Sequence, residues 1–177
     1  MRFDRDQWLR QSLTLLITHG PDVLKVDPLC RKLGVTKGSF YHHFPSREVF
    51  VGELLKHWQQ VHTQALIDAL DGIDDPYLRS HALSKLVNAQ NKEQELAMRG
   101  WALRDNEVAQ FVSRVDGQRI ECIEHILAAM TGQQDNAGLQ ARLIYSQWLG
   151  SVQLADHISD QQQASIESLL RTALVPS

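Results

Sequence analysis

The stretch DPLCRKLGVTKGSFYHHFPSR, residues 27–47, decides how this chain is read. It divides into two short helices around a tight turn, with a third helix starting directly behind them. Asp27 reads as an N-cap, and Pro28 as the first helical residue, where a missing N–H costs nothing. Leu29 and Leu33 fall one turn apart on one face. Gly34 supplies a left-handed residue that stops the helix. Thr36 then caps a second helix, which Pro45 ends. Helix, glycine-bearing turn, helix is the outline of a helix-turn-helix DNA reader.

On a wheel of roughly 100° per residue, the second helix has two distinct sides. Phe40 and Phe44 share one and are expected to anchor it to a core. Gly38 and His42 lie opposite, with Ser39 and His43 beside them, Tyr41 on the far flank and Lys37 at the start. That outer face carries hydroxyls, imidazoles, an ammonium and a glycine, but no aliphatic side chain. Such groups hydrogen-bond to phosphates and base edges, and a glycine lets another surface come close. The plain alternative is a helical hairpin whose polar side faces water.

Charge points the same way once it is located. The 177 residues carry a net charge of −3, which by itself argues against a nucleic-acid binder. Residues 25–47, however, hold Lys25, Arg31, Lys32, Lys37 and Arg47 against Asp27 alone. A basic surface on an otherwise acidic body steers DNA to one face. The hydrophobic fraction of 43% suffices for a core, and the charged fraction of 22% is ordinary.

Helices are expected throughout. The first runs from about Asp4 to His19, with Trp8, Leu9, Leu13, Leu16 and Ile17 at helical spacing and Gly20-Pro21 as its close. Ser46 caps a long fourth helix, from about Arg47 to Leu70, whose some 24 residues span roughly 36 Å. Asp71-Gly72 and Asp74-Asp75-Pro76 mark a break. Further helices are expected at about 76–92, 94–104, 106–130, 136–157 and 160–174, with Asn106 and Asp135 as caps. No strand-like alternation and no solenoid repeat is present. The last two helices carry apolar stripes: Leu139, Leu143, Ile144, Trp148, Val152 and Ala155 on one, and Ile166, Leu169, Leu170 and Leu174 on the other. Gly150 and Ser151 allow close helix approach. These stripes serve either an internal core or a dimer.

LGVTKGSFYHHFPSREVFVGELL resembles the DNA-binding segment of the tetracycline-repressor (TetR) family of bacterial transcriptional regulators. The turn, the Tyr-x-His-Phe stretch, the Pro/Ser pair and the basic residue after it are in register. The resemblance is good over about residues 5–60. It is weaker beyond, where RGWALRD at 99–105 and VDGQRI at 115–120 look like the ligand domain of one branch. Cys30 replaces the usual alanine.

The resemblance implies an all-α chain of about nine helices. A three-helix DNA-binding domain would occupy residues 1–50, and a helical ligand-binding and dimerisation domain 51–177. It implies operator contacts by Thr36, Lys37, Gly38, Ser39, Tyr41 and His42. Lys37 is the candidate for a guanine edge, Thr36 and Tyr41 for phosphates, and Arg47 for a phosphate clamp. His43 would either reach a phosphate or pack beside Phe44. An inducer cavity would draw on Trp58, His62, Trp101, Arg104, Phe111, Tyr145 and Trp148. Arg104 would pair with an anionic ligand or, equally, with Asp105. A homodimer would form through Leu139, Leu143, Trp148, Val152, Ile166 and Leu170. The partners implied are a palindromic double-stranded operator, a small-molecule effector and a second copy of the chain. The functional expectation is a repressor released by its ligand, with the fourth helix as the lever between the two sites. The alternative is a helical ligand-binding or adaptor protein that does not touch DNA.

Other classes find little support. HExxH, GxSxG and P-loop patterns are missing, so an enzyme is not expected. His42 and His43 point about 100° apart on a helix and would share a metal poorly. No cofactor or metal is expected, and His81, His125 and His157 read as isolated surface or core residues. Cys30 and Cys122 read as buried free thiols in a reducing cytoplasm. Asp4 and Asp6 interrupt any leader-like opening, and no apolar run nears the roughly 18 residues that span a bilayer. A cytoplasmic location is therefore expected, without membrane contact.

Overall fold

The structure, a computed structural model, describes residues 3–132 and 135–174. These residues are helical, with no strand among them. The elements are α1 (Arg5–His19), a 3-10 turn (Pro21–Leu24), α2 (Val26–Leu33), α3 (Lys37–His43) and α4 (Arg47–Gln59). A π-helical segment (Gln60–Gln64) joins α4 to α5 (Ala65–Asp68). Then come α6 (Pro76–Asn88), α7 (Lys92–Ala102), α8 (Asn106–Thr131), α9 (Ala137–Gln153) and α10 (Asp160–Leu174). With α4, the π segment and α5 taken as one run, the described residues form nine helices, as the sequence suggests.

The chain forms two compact units. One comprises Met1–Gln64 and Asn91–Ser113; the other comprises Ala65–Gln90 and Arg114–Ser177.

In the first unit, α1 opens with a capping box. Asp4 accepts from the Gln7 N–H at 2.7 Å, and Gln7 Oε1 accepts from the Asp4 N–H at 2.9 Å. Trp8, Leu9, Leu13 and Leu16 are buried along one face, as their spacing requires. Gly20 ends the helix at φ 68°, its N–H on the Leu16 carbonyl. Trp8 then meets Phe40, Phe44 and Phe50 in an aromatic core. Its ring lies 5.7 Å from Phe40 and 6.2 Å from Phe44, both edge-on. Phe50 closes the cluster, 5.3 Å from Phe40 and 5.1 Å from Phe44. Edge-to-face pairs of this kind add about 0.5–1.5 kcal/mol each beyond burial. Arg5 ties α1 to α4 through Glu53 and lies 5.5 Å over the Phe44 ring.

In the second unit, Asp75 caps α6 by accepting from the N–H groups of Tyr77 and Leu78, with Pro76 in the first turn. Leu127, Ala137 and Ala141 form a buried cluster, with Ile123, Met130 and Ile144 packed against it. The small alanines bring α8 and α9 close.

Four local expectations need correction. Asp27 does not cap α2: the helix begins two residues earlier than expected, behind the 3-10 turn, with Lys25 at the cap and no side-chain cap bond. Pro28 therefore stands third, still among the positions whose N–H has no partner within the helix. The fourth helix is not one α-helix to Leu70: a π turn interrupts it at Gln60–Gln64, and it ends at Asp68. The cap of α8 is Asp105, not Asn106; its Oδ1 accepts from the N–H groups of Glu107 and Val108. Asp135 lies in a turn, and the cap position of α9 is Asn136, without a side-chain bond.

α9 also stops at Gln153, before Ala155. The next helix opens with its own capping box. Ser159 Oγ accepts from the Gln162 N–H, and Gln162 Oε1 from the Ser159 N–H. Ala155 is exposed in the intervening turn and belongs to no helical stripe.

Candidate nucleic-acid interface

The turn between α2 and α3 is built by Gly34. Its φ of 67° and ψ of 33° place it in the left-handed region. The Val35 N–H donates to the Cys30 carbonyl at 3.0 Å, and the Gly34 N–H to the Arg31 carbonyl at 3.4 Å. This pair of bonds is a Schellman motif, which satisfies the last carbonyls of α2 and turns the chain sharply. Two residues later Thr36 Oγ1 accepts from the Ser39 N–H at 3.1 Å and starts α3. α3 ends at His43 with Phe44 as its C-cap, Pro45 prevents its continuation, and Ser46 Oγ caps α4 by accepting from the Val49 N–H.

Within this frame the two sides of α3 separate as the wheel demands. Phe40 and Phe44 are fully buried. Thr36, Lys37, Gly38, Tyr41 and His42 are exposed, and Ser39 is half-buried. Tyr41 keeps 53% of its surface in solvent, unusual for a large ring and well suited to a contact surface. Gly38 is exposed without conformational need. An added Cβ would meet only Thr36 Oγ1 at 3.7 Å, an ordinary contact, and its φ is not positive. The fold does not require glycine here, so its value lies in the room it leaves outside the helix.

His43 is half-buried and packs inward, its ring 6.4 Å from Trp8 and 6.2 Å from Phe44. It also lies 5.1 Å from His42, edge-on. Arg47 is partly buried at the first turn of α4, and its Nε is buried without a hydrogen-bond partner. Leaving that guanidinium donor unpaired is costly.

The charges of this face are partly compensated. Lys25 pairs with Asp22 at 2.7 Å, and the bond to Lys25 lowers the Asp22 carboxyl below its usual range. Lys37 Nζ lies 2.7 Å from Asp27 Oδ1, and that bond raises the Lys37 ammonium above its usual value. Arg31 and Lys32 are exposed on α2 and have no carboxylate partner among the described residues. The Asp27–Lys37 pair was not legible in the sequence, because Asp27 reads there as a cap facing its own backbone. Cys30 is buried, and burial first, then Asp27, pushes its thiol above the ordinary range.

The residues expected around a ligand fall into both units. Trp58 and Trp101 are core residues of the first, with 0% and 2% exposure. His62 is buried, and its Nε2 lies 2.6 Å from Gln94 Oε1. Phe111 is half-buried. Arg104 is exposed in the short link between α7 and α8, where its charge adds slightly to the lowering of the Asp22 carboxyl.

In the second unit Tyr145 is buried and donates to Asp116 at 2.6 Å. Trp148 is half-buried, stacked 5.6 Å from Tyr145 and with the Arg119 guanidinium 5.6 Å over its ring. A cavity of about 410 Å³ lies elsewhere, between α6 and α10, walled by Ser84, Lys85, Glu167 and Arg171. Glu167 there accepts from Ser84, Asn88 and Gln163. No sequence pattern announces this recess.

Of the residues expected at a dimer face, Leu139 and Leu143 are exposed, at 69% and 46%. Ile166 and Leu170 are half-buried. Val152 is buried within the chain, at 1% exposure. Helical spacing alone does not tell which apolar side chains the fold buries.

Among the described residues no group of three or more His, Cys, Asp or Glu side chains is placed to hold a metal ion. None of the described helices is long and apolar enough to cross a membrane.

A two-turn helix, capped at its start, anchored by two phenylalanines and polar outside, on a basic local surface, defines a helix-turn-helix DNA-binding protein. Residues 9–54 match the family model for bacterial regulatory proteins, tetR family. The matched segment is thus a DNA-binding domain similar to that of the tetR family, and it makes the chain a DNA-binding transcriptional regulator. No curated protein and no solved structure matches it significantly.

Proposed function

We propose that the chain is a cytoplasmic repressor that binds a palindromic operator as a homodimer and leaves it when a small molecule binds. It is not an enzyme in this reading. Residues 1–50 serve as the DNA-reading domain, and residues 51–177 as the effector and dimerisation domain. The observation that carries the reading is the outer face of α3: Lys37, Gly38, Tyr41 and His42 exposed over a fully buried Phe40/Phe44 side.

Lys37 reads a guanine edge from the first residue of α3. Thr36, Ser39 and Tyr41 bond phosphates or bases, and Arg47 clamps a phosphate through its outer donors. His42 is the exposed imidazole of the pair and His43 its packed support. Leu139 and Leu143, with Ile166, Leu170 and the half-buried Trp148, supply the partner-facing surface. The exposure of the two leucines, one helical turn apart on α9, supports that role. Trp58, His62, Trp101, Phe111, Tyr145 and Trp148 remain the candidates for sensing an effector. A ligand moves the equilibrium only if it favours one conformation over another. The helical run from Arg47 to Asp68 is the segment through which such a preference reaches α3.

Selection of bound duplexes from a randomised pool, with the full chain, tests the reading. The expected product is an inverted repeat whose half-sites lie about 34–36 Å apart, one helical turn. Recovery of single, unrepeated sites ends the homodimer reading. Recovery of no preferred sequence ends operator recognition.

A further inference from the structure

The geometry points to Asp27 as a specificity-determining residue: it holds the Lys37 ammonium across the α2–α3 turn, so that this cation is delivered to a base edge instead of to phosphates. The inference rests on the reading of α3 as the DNA reader.

The backbone at both ends of the pair is fixed. Asp27 stands in the first turn of α2, and Lys37 is the first residue of α3, directly after the Thr36 cap. Between them lies the Schellman turn at Gly34, whose bonds leave the two helices little freedom. Lys37 Nζ sits 2.7 Å from Asp27 Oδ1, with the two side chains 60% and 57% exposed. The pair is therefore formed in the free protein and open to an approaching duplex.

An ammonium has three N–H donors. Asp27 takes one. Two remain, which matches the paired N7 and O6 acceptors of a guanine in the major groove. A free lysine at this place has a four-carbon stem and finds the nearest phosphate, which carries no sequence information. Held by Asp27, its charge is cancelled towards the backbone while its remaining donors stay directed. In a non-specific complex the pair contributes no net charge. In the specific complex it contributes a base contact. Asp27 thus lowers background binding and preserves discrimination at one base pair.

The experiment compares the wild type, Asp27→Asn and Asp27→Asn/Lys37→Gln, measuring affinity against salt. The probes are mixed-sequence bulk duplex DNA and the duplex that the wild type itself selects from a random pool. Asp27→Asn is expected to tighten bulk binding roughly three- to tenfold and to steepen the salt slope by about 0.9, one phosphate contact. The double variant is expected to return to the wild-type slope. Discrimination at one base pair of the selected duplex should fall at least about fivefold in Asp27→Asn. Asp27→Glu, which keeps the acid, should restore both quantities. Equal slopes and equal discrimination in wild type and Asp27→Asn overturn the inference. So does an equal gain on both probes with discrimination intact, which marks Asp27 as bulk charge only. Wild-type protein that binds neither probe at low salt removes the reader assignment itself, and the inference with it.

Discussion

Phe40 and Tyr41 are adjacent in sequence and opposite in environment. Their rings meet edge-on at 5.3 Å, yet Phe40 is 0% exposed and Tyr41 53% exposed. The boundary between core and contact surface therefore runs between two neighbouring residues of α3. Phe40→Ala is expected to cost about 3–5 kcal/mol of stability, read by urea unfolding. Tyr41→Phe is expected to shift stability by less than about 0.5 kcal/mol while weakening duplex binding, read by titration with labelled DNA. A Tyr41→Phe variant that unfolds early but binds normally would reverse the two roles.

Gly38 gives a sharper separation of folding from function. A methyl group fits within the fold, since only Thr36 Oγ1 lies near it. Gly38→Ala should therefore stabilise α3 by about 0.5–1 kcal/mol through helix propensity. The same methyl projects from the surface offered to DNA, so affinity should fall. Thermal unfolding and a binding isotherm on one sample decide the matter; gains in both would show that Gly38 is not near the duplex.

Gly34 is required by conformation. Its φ of 67° costs any residue with a Cβ about 1–2 kcal/mol. Gly34→Ala should lose that amount in chemical denaturation, together with duplex affinity, because the turn orients α3. Unchanged stability would mean that α2 ends by another motif in solution.

Arg47 is expected to act on all sequences alike. Arg47→Ala should flatten the dependence of log affinity on log salt by about one unit, with base preference unchanged. A loss confined to selected duplexes would assign Arg47 to base reading.

The two cysteines should resist modification in the native protein. Burial raises both thiols, Cys30 and Cys122, above their ordinary value, so less thiolate exists at neutral pH. For each, the native state holds its proton to higher pH than the unfolded state does. Their contribution to stability is complete below the ordinary thiol range, near 8.5, and is lost as pH rises above it. Iodoacetamide labelling at pH 8, followed by mass spectrometry, should be slow in buffer and fast in denaturant. Rapid native labelling of Cys30 would contradict its burial.

Much of the reading module was legible because its signals are local. Gly34, Thr36, Pro45 and Ser46 act on backbone within a few residues, and Phe40 and Phe44 declare their side by spacing. Asp27 was misread because two chemistries compete for one carboxylate, and the partner that wins, Lys37, stands ten places away across a turn. The π turn at Gln60–Gln64 left no trace, since no glycine or proline marks it. Arg104 and Val152 show a different limit. Residue type suggests a role, but exposure, set by packing of distant segments, decides whether the side chain is available for it.

α3 has seven residues, bolted at one end by the Thr36 hydroxyl and at the other by the chain's turn into Pro45. So short an element has no slack for sliding lengthwise or rolling about its axis. A lineage carrying it must change its target site by swapping side chains at a few outward stations. Divergence among such proteins should then be written as point changes on one fixed frame, legible base by base.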